Sequence, residues 1–370
     1  MDRRRFLQAG AGLAVFAAAG CERTSAPGYV ASTVPPDERA ATIAGMRPPK
    51  RQRPLIAILG ENTGSETTDF ILPYSVLTRS GVADVVAVGM REGPIKLNPA
   101  LHIMPQMTAA AFDAAHPDGP DYVIVPAYEN RKPEGPIAWM QEKSKGGSTI
   151  IGVCAGALTL AHAGLLEGRR ATTHWFSTGE MQKISPKAIW VKDRRFLVDR
   201  GVVTTTGVSA SLPMSLTLIE AIAGRAKAEA VSQELGGVPF DQSHDSSAFS
   251  LHGAFMGRVA SNVVAFATHE SVGLKLAAGV DELAVASTAD AWSRTYKTEC
   301  LSVAAANVRS KNGLVFVPDR KELGGLREVS LPTGPAGRAV DQALADIAKR
   351  YEKPTAAVVA QQLEYPWTAA

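Results

Sequence analysis

Cysteine, histidine and net charge are all scarce in this 370-residue chain, and no long apolar run interrupts it. The three cysteines, Cys21, Cys154 and Cys300, are too few for a disulfide scaffold. Lys and Arg number 39 against 36 Asp and Glu, a formal charge of +3. Arg3, Arg4, Arg5 and Asp2 account for +2 of it, so the chain beyond the first twenty residues carries only +1. That balance recruits no nucleic acid. Seven histidines give little material for a metal centre. His102, His116, His162 and His269 have no partner at ligand spacing. The polar stretch Asp241 to His252 reads as a solvated loop rather than a metal site. No metal and no cofactor are expected. A hydrophobic share of 45% and a charged share of 20% fit a packed globular protein.

The N-terminus reads as an export signal. Asp2-Arg3-Arg4-Arg5-Phe6-Leu7-Gln8 fits a twin-arginine pattern, and the apolar run from Ala9 to Ala19 is too short for a permanent membrane span. The run ends in Ala18-Ala19-Gly20-Cys21, which is similar to the lipobox at which Cys21 becomes lipidated. An ordinary cleaved signal is the alternative. Residues 1–20 are thus a signal, and residues 21–53, rich in Pro, Ser, Thr and Arg, a flexible tether. The expected location is the periplasm or cell envelope, with a lipid anchor in the membrane.

The segment around Cys154 carries the chemistry. Thr149 to Val153 is apolar and β-branched, which predicts a buried parallel strand, and Ala157 to Ala163 has the composition of a helix start. Cys154 falls on the turn between them, among small residues. Such an elbow carries a side chain over the carboxyl edge of the sheet. N–H groups at the helix start there favour thiolate over thiol. On this pattern alone, a buried inert cysteine stays open as the other reading.

Gly164 to Trp175 follows, with Ala171-Thr172-Thr173-His174 inside it. Together with Val153-Cys154-Ala155-Gly156, it resembles the DJ-1/PfpI superfamily, especially the DJ-1-like domain that opens AraC-type regulators. Asp69, four residues before Pro73, and the run Thr204 to Gly207 ahead of a long helix keep the family's order. The resemblance spans residues 54–236. It implies a flavodoxin-like, three-layer α/β sandwich with a parallel sheet, Cys154 as the reactive residue, His174 near it, and Asp69 as the third site residue. A buried, protonated Asp69 would donate a hydrogen bond to the thiolate, and His174 would act as base or orient water. The N–H of Ala155 would stabilise an oxyanion.

The chain departs from the family at two places. Ala127-Tyr128 stands where the family has Gly-Gly after the strand Asp121 to Pro126, so the Ala127 N–H meets a narrowed anion site. Ala155 stands where isonitrile hydratases carry Thr, which argues against isonitrile hydration. No histidine follows the cysteine, as one does in PfpI-type peptidases.

The chain is too long for one such domain. Residues 237–269 read as a linker and helix, and residues 270–367 as a shortened copy of the first domain lacking the elbow. Val272 to Gly279, a helix from Asp281 to Tyr296 and Cys300 to Ala305 parallel Leu55 to Gly60, Thr68 to Ser80 and Asp84 to Val88. Glu328 to Pro332 is set against Asp121 to Pro126. An unrelated α/β appendage is the alternative. A half-sheet would expose apolar surface unless it packed on the first domain, so an internal pseudo-dimer is expected, with a homodimer as the other arrangement. Cys300 is expected in the core. The leading function is a cysteine-dependent hydrolase or hydratase-like enzyme acting on a small electrophilic metabolite. A ligand-binding or redox-sensing lipoprotein is the rival, and a regulator-like protein without a DNA-binding domain comes third.

Overall fold

The computed structural model describes residues 29–48 and 50–367. The arginines, the apolar run and Cys21 lie outside the described residues. The first unit is a seven-stranded sheet: β1 (Leu55–Gly60), β2 (Asp84–Gly89), β3 (Met107–Thr108), β4 (Tyr122–Val125), β5 (Thr149–Gly152), β6 (Phe196–Asp199) and β7 (Val202–Thr205). Their order is β6-β7-β5-β4-β1-β2-β3, parallel throughout except for β6 against β7. Every residue of β1, β4 and β5 is buried, as a parallel sheet covered on both faces requires.

The two faces separate by the strand's period of two. Ile56, Ile58, Tyr122, Ile124 and Ile151 enter one apolar cluster, while Leu55, Ala57, Leu59, Val123, Val125 and Ile150 enter another. Helices cover both faces, giving the α/β sandwich. The helix of main interest, α2 (Thr67–Ser80), begins where the Glu66 side chain accepts the Asp69 N–H, and stops at Gly81 with φ +69°.

The segment expected to be a flexible tether is packed from Tyr29 onward. Helix α1 (Pro36–Gly45) opens on a proline, whose missing N–H would have had no partner in the first turn anyway. Thr42 and Met46 are buried, and the Met46 C=O accepts the Tyr122 hydroxyl at 2.7 Å. The buried Asp121 carboxylate takes the N–H groups of Lys50, Arg51 and Leu55 at 2.9–3.1 Å. A low density of apolar residues misled the sequence reading: besides Met46 and the Asp121 carboxylate, polar pairs such as Glu38 with Arg194 at 2.8 Å and Thr42 with Gln242 at 3.0 Å hold the segment.

The second unit has three parallel strands, β8 (Glu270–Lys275), β9 (Thr298–Val303) and β10 (Arg327–Val329), in the order β9-β8-β10. That order matches β2-β1-β4 of the first unit. Helix α8 (Glu282–Ser293) connects β8 to β9 as α2 connects β1 to β2; between α2 and α8 in the chain, besides the short helices Ala109–Ala115 and Thr178–Ile184, come α3 (Glu134–Lys145), α4 (Gly156–His162), α5 (Ser211–Ala223), α6 (Arg225–Glu234) and α7 (Gly253–Val264). Two last helices, α9 (Ala339–Tyr351) and α10 (Lys353–Gln362), complete the unit.

The two units share one apolar cluster, in which Phe70 and Leu77 join Leu283, Trp292 and Leu344. A short ribbon also crosses between them, with Val315 opposite Met104 and Phe316 opposite Ile103 in antiparallel pairing. Arg79 binds Asp281 at 2.9 Å, and His102 binds Asp319 at 3.0 Å. Cys300 lies buried within β9 in the shared cluster. Among the described residues, no helix is long and apolar enough to cross a membrane.

Candidate functional site

Between β5 and α4 the chain turns sharply, and Cys154 takes φ +57° there. A non-glycine residue holds that conformation only where its surroundings enforce it. Two threonines do so: the Cys154 N–H donates to the Thr205 hydroxyl at 3.0 Å, and the Thr173 hydroxyl donates to the Cys154 C=O at 3.0 Å. Gly156 lets β4 come close, since a Cβ at that position would lie 2.2 Å from the Val125 carbonyl oxygen. The side chain of Cys154 thus stands at the carboxyl edge of the sheet, where it is only 7% exposed.

Acids, rather than cations, dominate the neighbourhood of the sulfur. Asp69, fully buried in the first turn of α2, accepts the Ala127 N–H on Oδ2 at 3.1 Å, and its Oδ1 has no hydrogen-bond partner among the described residues. Glu66 accepts the Asp69 N–H at 2.5 Å and Arg294 at 2.5 Å. Arg294 also binds Asp290 at 2.5 Å, and the Thr68 hydroxyl lies 2.9 Å from Glu66 and 3.1 Å from Asp290. Burial pushes the Asp69 carboxyl up to about 7, against the pull of the Ala127 N–H. Glu66 is likewise raised well above its ordinary value, by burial and then by the charges of Asp69 and Asp290.

The thiol follows the same logic. Burial, then the charges of Asp69 and Glu66, raise the Cys154 thiol well above its ordinary value, and the Ala155 N–H directed at the sulfur opposes them. The expected thiolate-favouring environment is therefore outweighed by buried carboxyls. Asp69 acts on the sulfur through its charge, and no hydrogen bond joins the two. Cys300 is pushed up to about 12, mainly by burial and then by the charge of Asp319.

His174 does not stand free as a base. Its Nε2 lies 3.0 Å from the Gln362 C=O and its Nδ1 accepts the Phe176 N–H at 3.3 Å. That pattern fits the neutral tautomer with the proton on Nε2, and burial lowers the ring's pKa. Neither nitrogen is left to take the thiol's proton. The Ala127 N–H, expected to complete an anion site, is likewise taken by Asp69.

What His174 holds is the end of the chain. Gln361 to Glu364 crosses the site as a strap: the Trp175 indole N–H donates to the Gln361 C=O at 3.0 Å, and the Gly207 N–H to the Glu364 carboxylate at 2.6 Å. The Ser209 hydroxyl donates to the Glu364 C=O at 2.6 Å, and the other oxygen of the Glu364 carboxylate meets His244 Nε2 at 2.9 Å. His244 is 1% exposed and stacks on Phe249, so the stretch Asp241 to His252 is a structural loop that buries Gln242, His244, Ala248 and Phe249 and not a wholly solvated one. Beside the strap opens a cleft of about 420 Å³ lined by Trp175, Trp190, Lys192 and Phe249, which shares Thr173 with the elbow.

The structure brings Asp69 and Ala155 to Cys154, and it groups with them Glu66, Asp290, Arg294 and Glu364, which the sequence reading did not single out. Only Glu66 had a readable signal, three residues before Asp69 at a helix start. The others come from the second unit, whose sequence carries no motif.

An α/β sheet with a strained cysteine between strand and helix defines a class of thiol-bearing proteins. Residues 55–221 match the DJ-1/PfpI family, and the chain contains a domain of that family. The transcriptional regulator CdhR of Pseudomonas aeruginosa is 34% identical over 110 residues, which cover 29% of this chain and 32% of the regulator. Isonitrile hydratase of Pseudomonas putida is 29% identical over 175 residues, 46% of this chain and 73% of the hydratase. Drosophila melanogaster DJ-1beta superposes with a TM-score of 0.44 at 22% identity, covering 50% of this chain and 97% of that one. The chain spans less than a third of the regulators it matches.

Proposed function

We propose that the protein is a cysteine-dependent enzyme of the hydrolase or hydratase type that acts on a small electrophilic metabolite. The observation that carries this reading is the strained Cys154 beside Asp69, a carboxyl with a pKa near 7. A carboxyl of that strength can take and return a proton at neutral pH. Asp69, rather than His174, then serves as base. Its ionised form accepts the Sγ proton, the sulfur forms a bond to the electrophilic carbon, and the carbon's π electrons move to its heteroatom. Protonated Asp69 returns the proton to that heteroatom, and the Ala155 N–H stabilises the charge that develops there. The hydratase among the relatives supports this class, while Ala155 argues for a substrate other than an isonitrile.

A second reading, a ligand-binding or redox-sensing protein, is favoured by the covered thiol and the adjacent cleft. The experiment is a turnover screen of small aldehydes, amides and nitriles with the wild type, Cys154→Ser and Asp69→Asn. Turnover that both variants lose supports the enzyme, and turnover that survives Cys154→Ser overturns it. Peroxide oxidation of Cys154 with no turnover of any compound supports the second reading.

The strand order common to β9-β8-β10 and β2-β1-β4 supports a further part of the proposal, that the second unit stands in for a partner subunit. The twin arginines and Cys21 support an envelope lipoprotein. Membrane fractionation of the wild type against Cys21→Ser tests it: release of the variant alone supports the anchor, and a soluble wild type rejects it.

A further inference from the structure

The charges about the thiol come from both units. Glu66 and Asp69 belong to the start of α2, and Asp290 to α8, with Arg294 just past its end. Spaced four apart, Asp290 and Arg294 lie on one face and bind each other. If all three carboxyls were ionised, one guanidinium would leave the cluster at −2. Burying that net charge costs several kcal/mol per ion by order of magnitude, and burial accordingly raises the Glu66 and Asp69 carboxyls. Glu364, at the strap, adds a further negative charge that acts on the thiol, and His174, neutral, adds none. Arg294 is the cation bonded to this cluster, pairing with both Glu66 and Asp290 at 2.5 Å.

We infer that Arg294, supplied by the second unit, is the positioning residue that sets the protonation of the Cys154 site through Glu66 and Asp290. This rests on the reading that Cys154 is the reacting group. The second unit then completes the electrostatics of a site whose nucleophile lies in the first, which gives a physical reason for the two units to remain fused. Asp69, whose Oδ1 has no hydrogen-bond partner among the described residues and which feels Arg294 only through its charge, is left as the carboxyl that exchanges its proton near neutrality.

The test is the ultraviolet absorbance of the Cys154 thiolate across pH, taken as the difference between each protein and its Cys154→Ser counterpart. Arg294→Gln should raise the midpoint by about one unit, roughly tenfold less thiolate at a given pH. Asp290→Asn should lower it by a similar amount, and Arg294→Lys should remain near the wild type. Mere loosening of the site would move both neutral variants the same way, down toward the ordinary thiol value of about 8.5. A midpoint in Arg294→Gln that is unchanged or lowered overturns the inference. Should that variant fail to fold, an unchanged midpoint in Asp290→Asn overturns it instead. The turnover screen separates the two claims. Unmoved midpoints with Cys154-dependent turnover reject the inference alone, and moved midpoints without turnover reject the enzyme alone.

Discussion

Thr205 holds Cys154 from behind. Its hydroxyl accepts the cysteine N–H at 3.0 Å and donates a hydrogen bond to the Thr206 C=O at 2.9 Å. Both groups are buried, so Thr205→Val leaves an amide N–H and a carbonyl without a partner. The expected cost is about 1–3 kcal/mol. Because the lost bond fixes the positive φ of Cys154, iodoacetamide labelling of Cys154 should change as well. Chemical denaturation and peptide mapping of the label check both, and an unchanged Cys154 labelling profile would show that Thr205 does not hold the elbow.

The elbow's second support is the close approach at Gly156. A methyl group there would lie 2.2 Å from the Val125 carbonyl oxygen and 2.9 Å from that of Pro126, both rigid backbone. Gly156→Ala should therefore cost about 3 kcal/mol or more, at the upper end of overpacking effects. Gly164→Ala is the informative control, since no atom lies within 4 Å of its Cβ position and only the φ of +73° opposes it. Thermal unfolding should show the larger loss at Gly156.

The first domain was legible because its signals are local. β-Branched strand runs, an elbow of small residues and an acid before a proline each depend on a few neighbouring residues, and the structure puts Cys154 and Asp69 together from positions far apart in sequence. What could not be read depends on residues from distant segments. His174 has the family's position, yet the Gln362 carbonyl from the end of α10 accepts the hydrogen bond of its Nε2, and nothing near His174 in sequence announces that. Arg294 and Asp290 are an ordinary surface-style helix pair until α8 is laid against α2. Residues 29–48 look unstructured by composition, because their anchors are scattered contacts to distant segments, such as Met46 with Tyr122, Glu38 with Arg194 and Thr42 with Gln242.

Glu364 is the strap's fastening. It is 1% exposed and accepts from Gly207 and His244, so removing its carboxylate leaves buried polar groups unpaired. Glu364→Ala should cost about 3–5 kcal/mol. Glu364→Gln keeps an acceptor for Gly207 and should cost less. If the strap governs access to the thiol, Cys154 should label faster in both variants, in the order of their destabilisation. Hydrogen exchange should rise first at 207–209 and 361–364. Equal labelling in all three proteins would mean that the strap is structural and does not gate the thiol.

Asp69 makes stability depend on pH with a definite sign. Its carboxyl lies at about 7 in the folded protein against an ordinary 3.8, so the folded state holds a proton that the unfolded chain releases. Below pH ~4 both states hold it and its contribution is fully present. As pH rises through 7 the contribution is lost, by up to about 4 kcal/mol for a shift of this size. Asp69→Asn has no proton to lose. Its unfolding free energy should fall less steeply between pH 4 and 8, and above pH 7 it should exceed that of the wild type. Part of the slope should remain, because Glu66 is raised by the same burial. The same substitution removes the charge that acts most strongly on the sulfur, so the thiol midpoint should fall. Urea denaturation at a series of pH values, read beside the thiolate absorbance, checks both. A wild-type slope that Asp69→Asn leaves intact would assign the proton to Glu66 and remove Asp69 from its role as base.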